Sequence, residues 1–291
     1  MRNILVAVDE SDAARRAVEL ALELAGRGGA RLTALTVVWP GGAAGIDRTA
    51  VPLGEAGPRG RVLGWLERWL APSLEGRGTG VPVELAAASG LPGIEIPRFA
   101  ERAAADLVVL GRKRRTLSQR LATGDTADAV GRRSPVPCLF VPAVSAPRLR
   151  RVLAALDGTE RGWRVYLAAR RFADAVGAEL RGVTVEPLRD DEASLLAPPV
   201  PAGRSLQLAA ALERDWPAGG GAGPGLPATA CPLTVRRGEP VAQILAEVEA
   251  GEADVLAIGY RRGGAPGVIE AGSVARRLAH ATPCPVLTEP F

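Results

Sequence analysis

The chain is poor in the residues that most enzyme chemistries require. Lys113 is the only lysine in 291 residues, and it lies within Gly111-Arg-Lys-Arg-Arg115. No Gly-Lys-Ser/Thr therefore exists to build a phosphate-binding P-loop, and no plausible Schiff-base lysine remains. His280 is the single histidine, and the three cysteines, Cys138, Cys231 and Cys284, are widely spaced. That excludes a Cys/His zinc cluster and leaves any Ser-His-Asp or Cys-His enzyme dependent on His280 alone. Aromatic residues make up only 4%, so Val, Leu, Ile and Ala must fill the core. The longest uncharged run, residues 216–235, is broken by Pro217, Pro224, Pro227 and Gly219-Gly220-Gly221, so it reads as a flexible surface loop and not as a membrane helix. The opening Met1-Arg-Asn, followed by five apolar residues and Asp9, is too short for a signal peptide. With an odd cysteine count, the expected compartment is the reducing cytoplasm.

Charge is nearly balanced. Lys+Arg 36 against Asp+Glu 32 gives +4, too small an excess for a nucleic-acid footprint. Apolar residues at 47% and charged residues at 23% are the proportions of a soluble globular protein. The length suggests two domains, each able to bury its own core.

The chain repeats itself at an offset of 148 residues, from its first apolar run to its last. Leu5, Ala7 and Asp9 fall on Leu153, Ala155 and Asp157; Gly29-Ala30 falls on Gly177-Ala178; Gly90 and Pro92 fall on Gly238 and Pro240. Asp106 meets Asp254, Gly111 meets Gly259, Arg114 meets Arg262, Gly124 meets Gly272, and Pro135 and Pro137 meet Pro283 and Pro285. Two domains, residues 1–145 and 150–291, follow from the repeat, joined by a short Pro-containing linker.

Within one copy, Ile4-Leu-Val-Ala-Val8 is a continuous apolar run of the kind expected for a strand buried on both faces. Ser11 can cap the helix that follows, and Ala14, Ala17, Val18, Ala21, Leu22 and Ala25 recur at helical spacing until Gly26 and Gly28 end it. Residues 32–38 read as a second strand, 61–74 as a helix, 81–87 as a strand and 94–104 as a third helix. Residues 107–110 read as a strand ended by a turn at Gly111, Gly124 as the opening of a last helix, and 136–141 as a last strand containing Pro137. Alternating β and α elements predict an α/β fold with a parallel, doubly wound sheet in each copy. Proline in the last strand favours an edge, so the two domains are expected to pair through their last strands.

In such sheets ligands sit beyond the carboxyl ends of the strands, where strand order reverses. Glycines at a helix entry let backbone N–H groups approach an anion, and the helix dipole adds about 0.3–1 kcal/mol. Gly111 with Gly124, and Gly259 with Gly272, are thirteen residues apart in both copies and describe a phosphate site.

These residues resemble the universal stress proteins: Val-Ala-Val-Asp9-Glu-Ser, Ala-Asp106-Leu-Val-Val-Leu-Gly111 and Gly124-Asp-Thr126 in the first copy, then Ala-Leu-Asp157-Gly-Thr, Asp254-Val-Leu-Ala-Ile-Gly259 and Gly272-Ser273 in the second. The resemblance covers both copies and implies two tandem five-stranded sheets of strand order 3-2-1-4-5, the adenine nucleotide alpha hydrolase-like arrangement. It implies ATP, with Mg²⁺, as the ligand. Carried over, the contacts are Asp157 at the ribose or base side, Val185 lining the adenine pocket, and Gly259, Gly272 and Ser273 around the phosphates, with Arg262 and Gly263 added as candidates where the chain departs from the pattern. In the first copy they are Asp9, Val37, Gly111, Gly124 and Thr126. Two departures matter. Arg114 and Arg262 replace the family's second glycine, where a side chain either obstructs close backbone contact or itself pairs with phosphate; Gly263-Gly264 follow in the second copy, and a loop shifted by one residue is one way to regain the flexibility. Asp125 replaces the family's Ser/Thr, and a carboxylate repels a phosphate by about 1 kcal/mol at about 4 Å even in water. The second copy is thus the favoured nucleotide site.

Structural readings stand beside these. Asp9 and Asp157 can serve as helix caps, Gly111 and Gly259 as turn glycines, and Asp125 and Ser273 as N-caps. Residues 112–115 read first as a solvated basic loop and second as a phosphate clamp. His280 suits the end of a helix, and Cys138 and Cys284 suit a core. Three functions compete: a cytoplasmic nucleotide-binding stress or regulatory protein, an adaptor of the same family without nucleotide, and a slow ATPase. No catalytic residue and no protein-derived metal ligand set is assigned, nucleic acid and membrane are not expected as partners, and homodimerisation stays open.

Overall fold

Ile4, Leu5 and Val6 are each at most 1% exposed, so their strand is covered on both faces, as the parallel sheet of an α/β protein requires. The computed structural model describes residues 1–38, 58–75, 80–112, 126–143, 149–186, 231–263 and 274–291. The first half runs β1 (Asn3–Val8), α1 (Asp12–Gly28), β2 (Arg31–Val38), α2 (Pro58–Glu75), β3 (Val83–Ser89), α3 (Pro92–Arg102), β4 (Leu107–Arg112), α4 (Thr126–Gly131) and β5 (Cys138–Pro142). The second runs β6 (Arg151–Ala155), α5 (Glu160–Val176), β7 (Glu179–Glu186), β8 (Leu233–Arg237), α6 (Pro240–Glu247), a wide helical turn at Val248–Glu252, β9 (Val255–Tyr260), α7 (Val274–Ala281) and β10 (Val286–Pro290).

The helices begin and end for local reasons. Ser11 Oγ accepts the Ala14 N–H at the start of α1, and Thr159 Oγ1 accepts the N–H groups of Arg161 and Gly162 at the start of α5. The helix α1 runs through Gly26 and Gly28, its expected end, because Ala17, Ala21 and Ala25 bury one face of it. That packing outweighs the roughly 1 kcal/mol cost of each helical glycine. Termination falls to Gly29 at φ 62°, a left-handed conformation that glycine adopts without strain, and its repeat partner Gly177 at φ 68° ends α5 identically.

One ten-stranded sheet results, in the order β3-β2-β1-β4-β5-β10-β9-β6-β7-β8. Each half keeps its five strands parallel, with the order 3-2-1-4-5 and its counterpart 10-9-6-7-8, and the halves join where β5 and β10 pair antiparallel. The register sets Phe140 opposite Val286, Leu139 opposite Leu287 and Cys138 opposite Thr288. The pairing of last strands thus holds, but not for the expected reason. Pro137 and Pro285 stand just before β5 and β10, where their carbonyls accept the N–H groups of Val108 and Leu256, so neither removes a ladder donor.

Two helical layers close the sheet. Helices α1, α2 and α5 cover one face through residues such as Val18, Leu66 and Phe172; α3, α4, α6 and α7 cover the other through Ile96, Val130, Ile244 and Leu278. Both layers also bind the halves together. On the first, Arg27 at the end of α1 donates to the Val176 carbonyl at the end of α5, at 2.7 Å. Of the run read as a surface loop, residues 233–235 belong to β8 and Cys231 is buried; the rest lies outside the described residues. Among the described residues no helix is long and apolar enough to cross a membrane.

Candidate functional site

Strand order reverses between β1 and β4 in the first half and between β6 and β9 in the second, so a crevice opens at the carboxyl ends of each pair. Asp157 stands two residues beyond the end of β6. Its Oδ1 accepts the Thr159 N–H at 3.0 Å and the Thr159 hydroxyl at 2.6 Å, and that hydroxyl oxygen in turn caps α5. Asp9 does the same for Ser11 in the first half. Both aspartates therefore orient a capping hydroxyl, which holds the carboxylate at the rim of the crevice. Val37 and Val185, near the ends of β2 and β7, are half-buried and pack on the layer formed by α3, α4, α6 and α7.

Gly111 and Gly259 are not turn residues. Each is the penultimate residue of its strand, on the face toward α1 or α5. A Cβ on Gly111 would stand 2.5 Å from the Ala13 carbonyl carbon and the Ala14 nitrogen, so the absent side chain is what lets the helix backbone lie against β4. At Gly259 the same space is occupied differently: a Cβ would stand 2.8 Å from Phe291 Cε1 and 3.2 Å from Val165 Cγ2. Phe291 is fastened there by its N–H on the Tyr260 carbonyl and by its own carbonyl, which accepts the Arg262 N–H at 2.8 Å.

The Arg262 side chain is exposed. Gly263 has φ 88° and donates its N–H to the Arg132 carbonyl at the end of α4, in the other half. Thr126 is exposed and opens α4. Gly124, Asp125, Arg114, Gly272 and Ser273 lie outside the described residues.

Arg112 overturns its reading as part of a solvated basic loop. It is 3% exposed, and its guanidinium donates to the carbonyls of Ala279 and Thr282 at the end of α7. Sequence alternation carried the signal, since Arg112 continues the inward-facing series Val108 and Leu110; its basic neighbours obscured it. Tyr260, Asp128 and Phe291 were likewise missed. Tyr260 donates its hydroxyl to Asp128 Oδ1 at 2.5 Å, and Asp128 also pairs with Arg132 at 2.7 Å.

The motif aspartates Asp106 and Asp254 sit at the opposite, amino end of the sheet. Asp254 Oδ2 accepts the Arg150 and Arg151 N–H groups at 2.9 and 3.0 Å, and Asp106 Oδ2 accepts those of Arg2 and Asn3. Burial raises the Asp106 pKa, but the two backbone N–H groups and the adjacent positive charges outweigh it and hold the carboxyl below its usual range. Their role is to tie the first strand to the fourth.

Beside α5 lies a cavity of about 320 Å³ lined by Glu160, Arg161, Arg164, Arg261, Arg262 and Phe291. The Arg161 guanidinium stands 4.9 Å from the centre of the Phe291 ring. Arg164 donates to the Pro290 carbonyl at 3.0 Å and meets Glu289 at 3.4 Å. Burial pushes the Glu289 carboxyl above its ordinary range against the pull of Arg164. Among the described residues no group of three His, Cys, Asp or Glu could hold a metal ion.

The universal stress protein family model matches residues 1–142 and again residues 148–288. No curated protein matches significantly. Among solved structures, the chain is similar to a universal stress protein from Archaeoglobus fulgidus DSM 4304, at 18% identity and TM-score 0.65, covering 99% of this chain and 98% of that one. A functionally unknown protein from Pseudomonas aeruginosa PAO1 aligns at 17% identity and TM-score 0.62, over 100% of this chain and 92% of that one. A universal stress protein from Archaeoglobus fulgidus in complex with dAMP matches at 22% identity and TM-score 0.33, over 48% of this chain and 97% of that one. With both halves matched by the family model and ten strands arranged as two mirrored sets of five, the chain belongs to the universal stress protein family and carries two such units in tandem.

Proposed function

We propose that this tandem universal stress protein is a cytoplasmic regulatory protein that binds an adenine nucleotide, ATP with Mg²⁺, at the crevice of its second half. The observation that carries the reading is that Asp157, Val185 and Gly259 stand at or just beyond the carboxyl ends of three adjacent strands, β6, β7 and β9, the end at which the crevice between β6 and β9 opens. Gly263 adds support. Its left-handed φ of 88° is the backbone freedom that the family pattern asks of a phosphate loop, one residue beyond the position taken by Arg262. In this reading Val185 offers apolar contact to the base and Asp157 accepts from the ribose. Gly272 and Ser273 supply N–H and hydroxyl donors to the phosphates and Arg262 pairs with them, while Gly263 lets the backbone turn there with its own N–H on the Arg132 carbonyl. The metal would neutralise phosphate charge. Asp9, Val37, Gly111, Gly124 and Thr126 form the weaker counterpart, burdened by Asp125.

A second reading, an adaptor without nucleotide, draws on a specific observation. Phe291 covers the α5-facing side of Gly259, and Asp157 Oδ1 is already engaged by Thr159. The test is to purify the chain gently, denature it and quantify released nucleotide, then to titrate the unliganded chain with MgATP by calorimetry. About one nucleotide per chain, lost in Gly272→Asp, is the expected result. Two per chain removes the preference for the second half, and none in either measurement establishes the adaptor reading.

A further inference from the structure

Residues 111 and 259 are repeat partners, yet their surroundings differ. In the first half the α1 backbone at Ala13 and Ala14 lies directly on Gly111. In the second half the ring of Phe291 occupies the corresponding place between α5 and β9, and the cavity of about 320 Å³ opens beside it. The lining differs in the same way. Arg161 stands where the first half has buried Ala13, and Phe291 where it has Ala143. Glu160, Arg164, Arg261 and Arg262 have like-charged repeat partners in Asp12, Arg16, Lys113 and Arg114, so what the second half adds is Arg161 and the Phe291 wall.

The cavity also lies on the other side of the sheet from the expected adenine contact. Arg161 and Arg164 project from α5, in the layer with α1 and α2, whereas Val185 and Ala155 pack on the opposite layer. Arg262 is common to both places, and Gly259, assigned to the nucleotide site, lies under Phe291, the wall of the cavity.

Its chemistry is that of an anion site. Among the described residues the guanidinium groups of Arg161, Arg164, Arg261 and Arg262 gather on it, with Glu160 in the lining and Glu289 beside Arg164. Each guanidinium has five N–H donors in a planar fork, and the contacts of Arg164 to Glu289 and Pro290 are single bonds and not paired ones. The volume falls at the small end of ligand pockets, which suits a compact anion. We infer that this cavity is a second binding site, for a diphosphate group, either free or at the end of a small ester, held by Arg161, Arg164, Arg261 and Arg262 with Phe291 as its wall. It goes beyond the nucleotide reading and does not rest on it.

The test uses the full chain and inorganic pyrophosphate, titrated by calorimetry at low ionic strength. Saturable binding is expected, weakened at least tenfold by Arg161→Ala with Arg164→Ala, both exposed residues whose loss leaves the core intact. Glu289→Gln removes the carboxylate competing for Arg164 and is expected to tighten binding about threefold. Equal affinity for ADP and pyrophosphate, both lost in the double variant, marks an esterified ligand as admissible; pyrophosphate alone marks the free anion. Absence of saturable binding by the unaltered chain, or unchanged affinity in the double variant, overturns the site. The double variant is expected to keep its released adenine nucleotide, so failure of either reading leaves the other standing.

Discussion

Arg112 and Tyr260 occupy the same position in the two repeats, and each is inserted into the last helix of the opposite half. The Arg112 guanidinium holds the carbonyls of Ala279 and Thr282; the Tyr260 hydroxyl holds the carboxylate of Asp128. Different chemistry thus performs one task on the two sides of the pseudo-symmetric join, and each residue directly precedes a loop expected to meet phosphate.

Replacing Arg112 by Met keeps an apolar stem but leaves two buried carbonyls without their donor. Loss of hydrogen bonds to a charged group costs about 1.5–3 kcal/mol each in favourable cases, so a fall of about 2–4 kcal/mol is expected by urea unfolding. Tyr260→Phe is expected to cost less, about 1–2 kcal/mol, because Arg132 still pairs with Asp128. A variant of Arg112 as stable as the parent would show that the join does not depend on this cap.

The two strand glycines should respond unequally to the same substitution. Gly111→Ala drives a methyl group against the α1 backbone, and about 3 kcal/mol or more is expected. Gly259→Ala meets a side-chain ring, which can turn aside, so about 1 kcal/mol is expected. Equal losses in thermal or urea unfolding would contradict the packing difference.

Asp106 makes stability depend on pH in the acid range. Its folded pKa lies below the ordinary 3.8, so the ionised carboxylate stabilises the fold above that value, and the contribution disappears as pH falls through the lowered one. Asp106→Asn is expected to be less stable than the parent at pH 7, with the gap closing below pH 3.8. Denaturation curves collected from pH 7 to pH 2.5 test this, and a gap independent of pH would contradict it.

All three thiols are free and buried, and burial pushes each up to about 12. An aromatic disulfide reagent at pH 8 is therefore expected to label none of them in the native chain and all three in denaturant. Rapid native labelling of any one would place it nearer the surface than its packing indicates.

Much of this architecture was legible in advance. The 148-residue repeat, the continuous apolar strands and the amphipathic first helix foretold two wound sheets, because periodic burial is written locally in residue spacing. The meeting of last strands was also expected, though Pro137 and Pro285 proved to stand outside the ladder. Gly111 was read as a turn because glycine commonly marks one; its strand position became visible only against the helix that crosses it. Arg112 looked solvated because it belongs to a basic run, and nothing local says that α7 presents its carbonyls there.

By itself the sequence determined the repeat, the alternation of strand and helix, the capping of α1 and α5, and the family pattern, all of which depend on residues near one another in the chain or on identity at a constant offset. Only the tertiary structure decided which glycine accommodates a helix and which a phenyl ring, that Arg112 and Tyr260 cross the join, and that four arginines converge beside Phe291. Those outcomes depend on contacts between segments distant in the chain, from 32 residues for Gly259 and Phe291 to 170 for Arg112 and Thr282, where the shape of the partner surface, and not local preference, sets the energy.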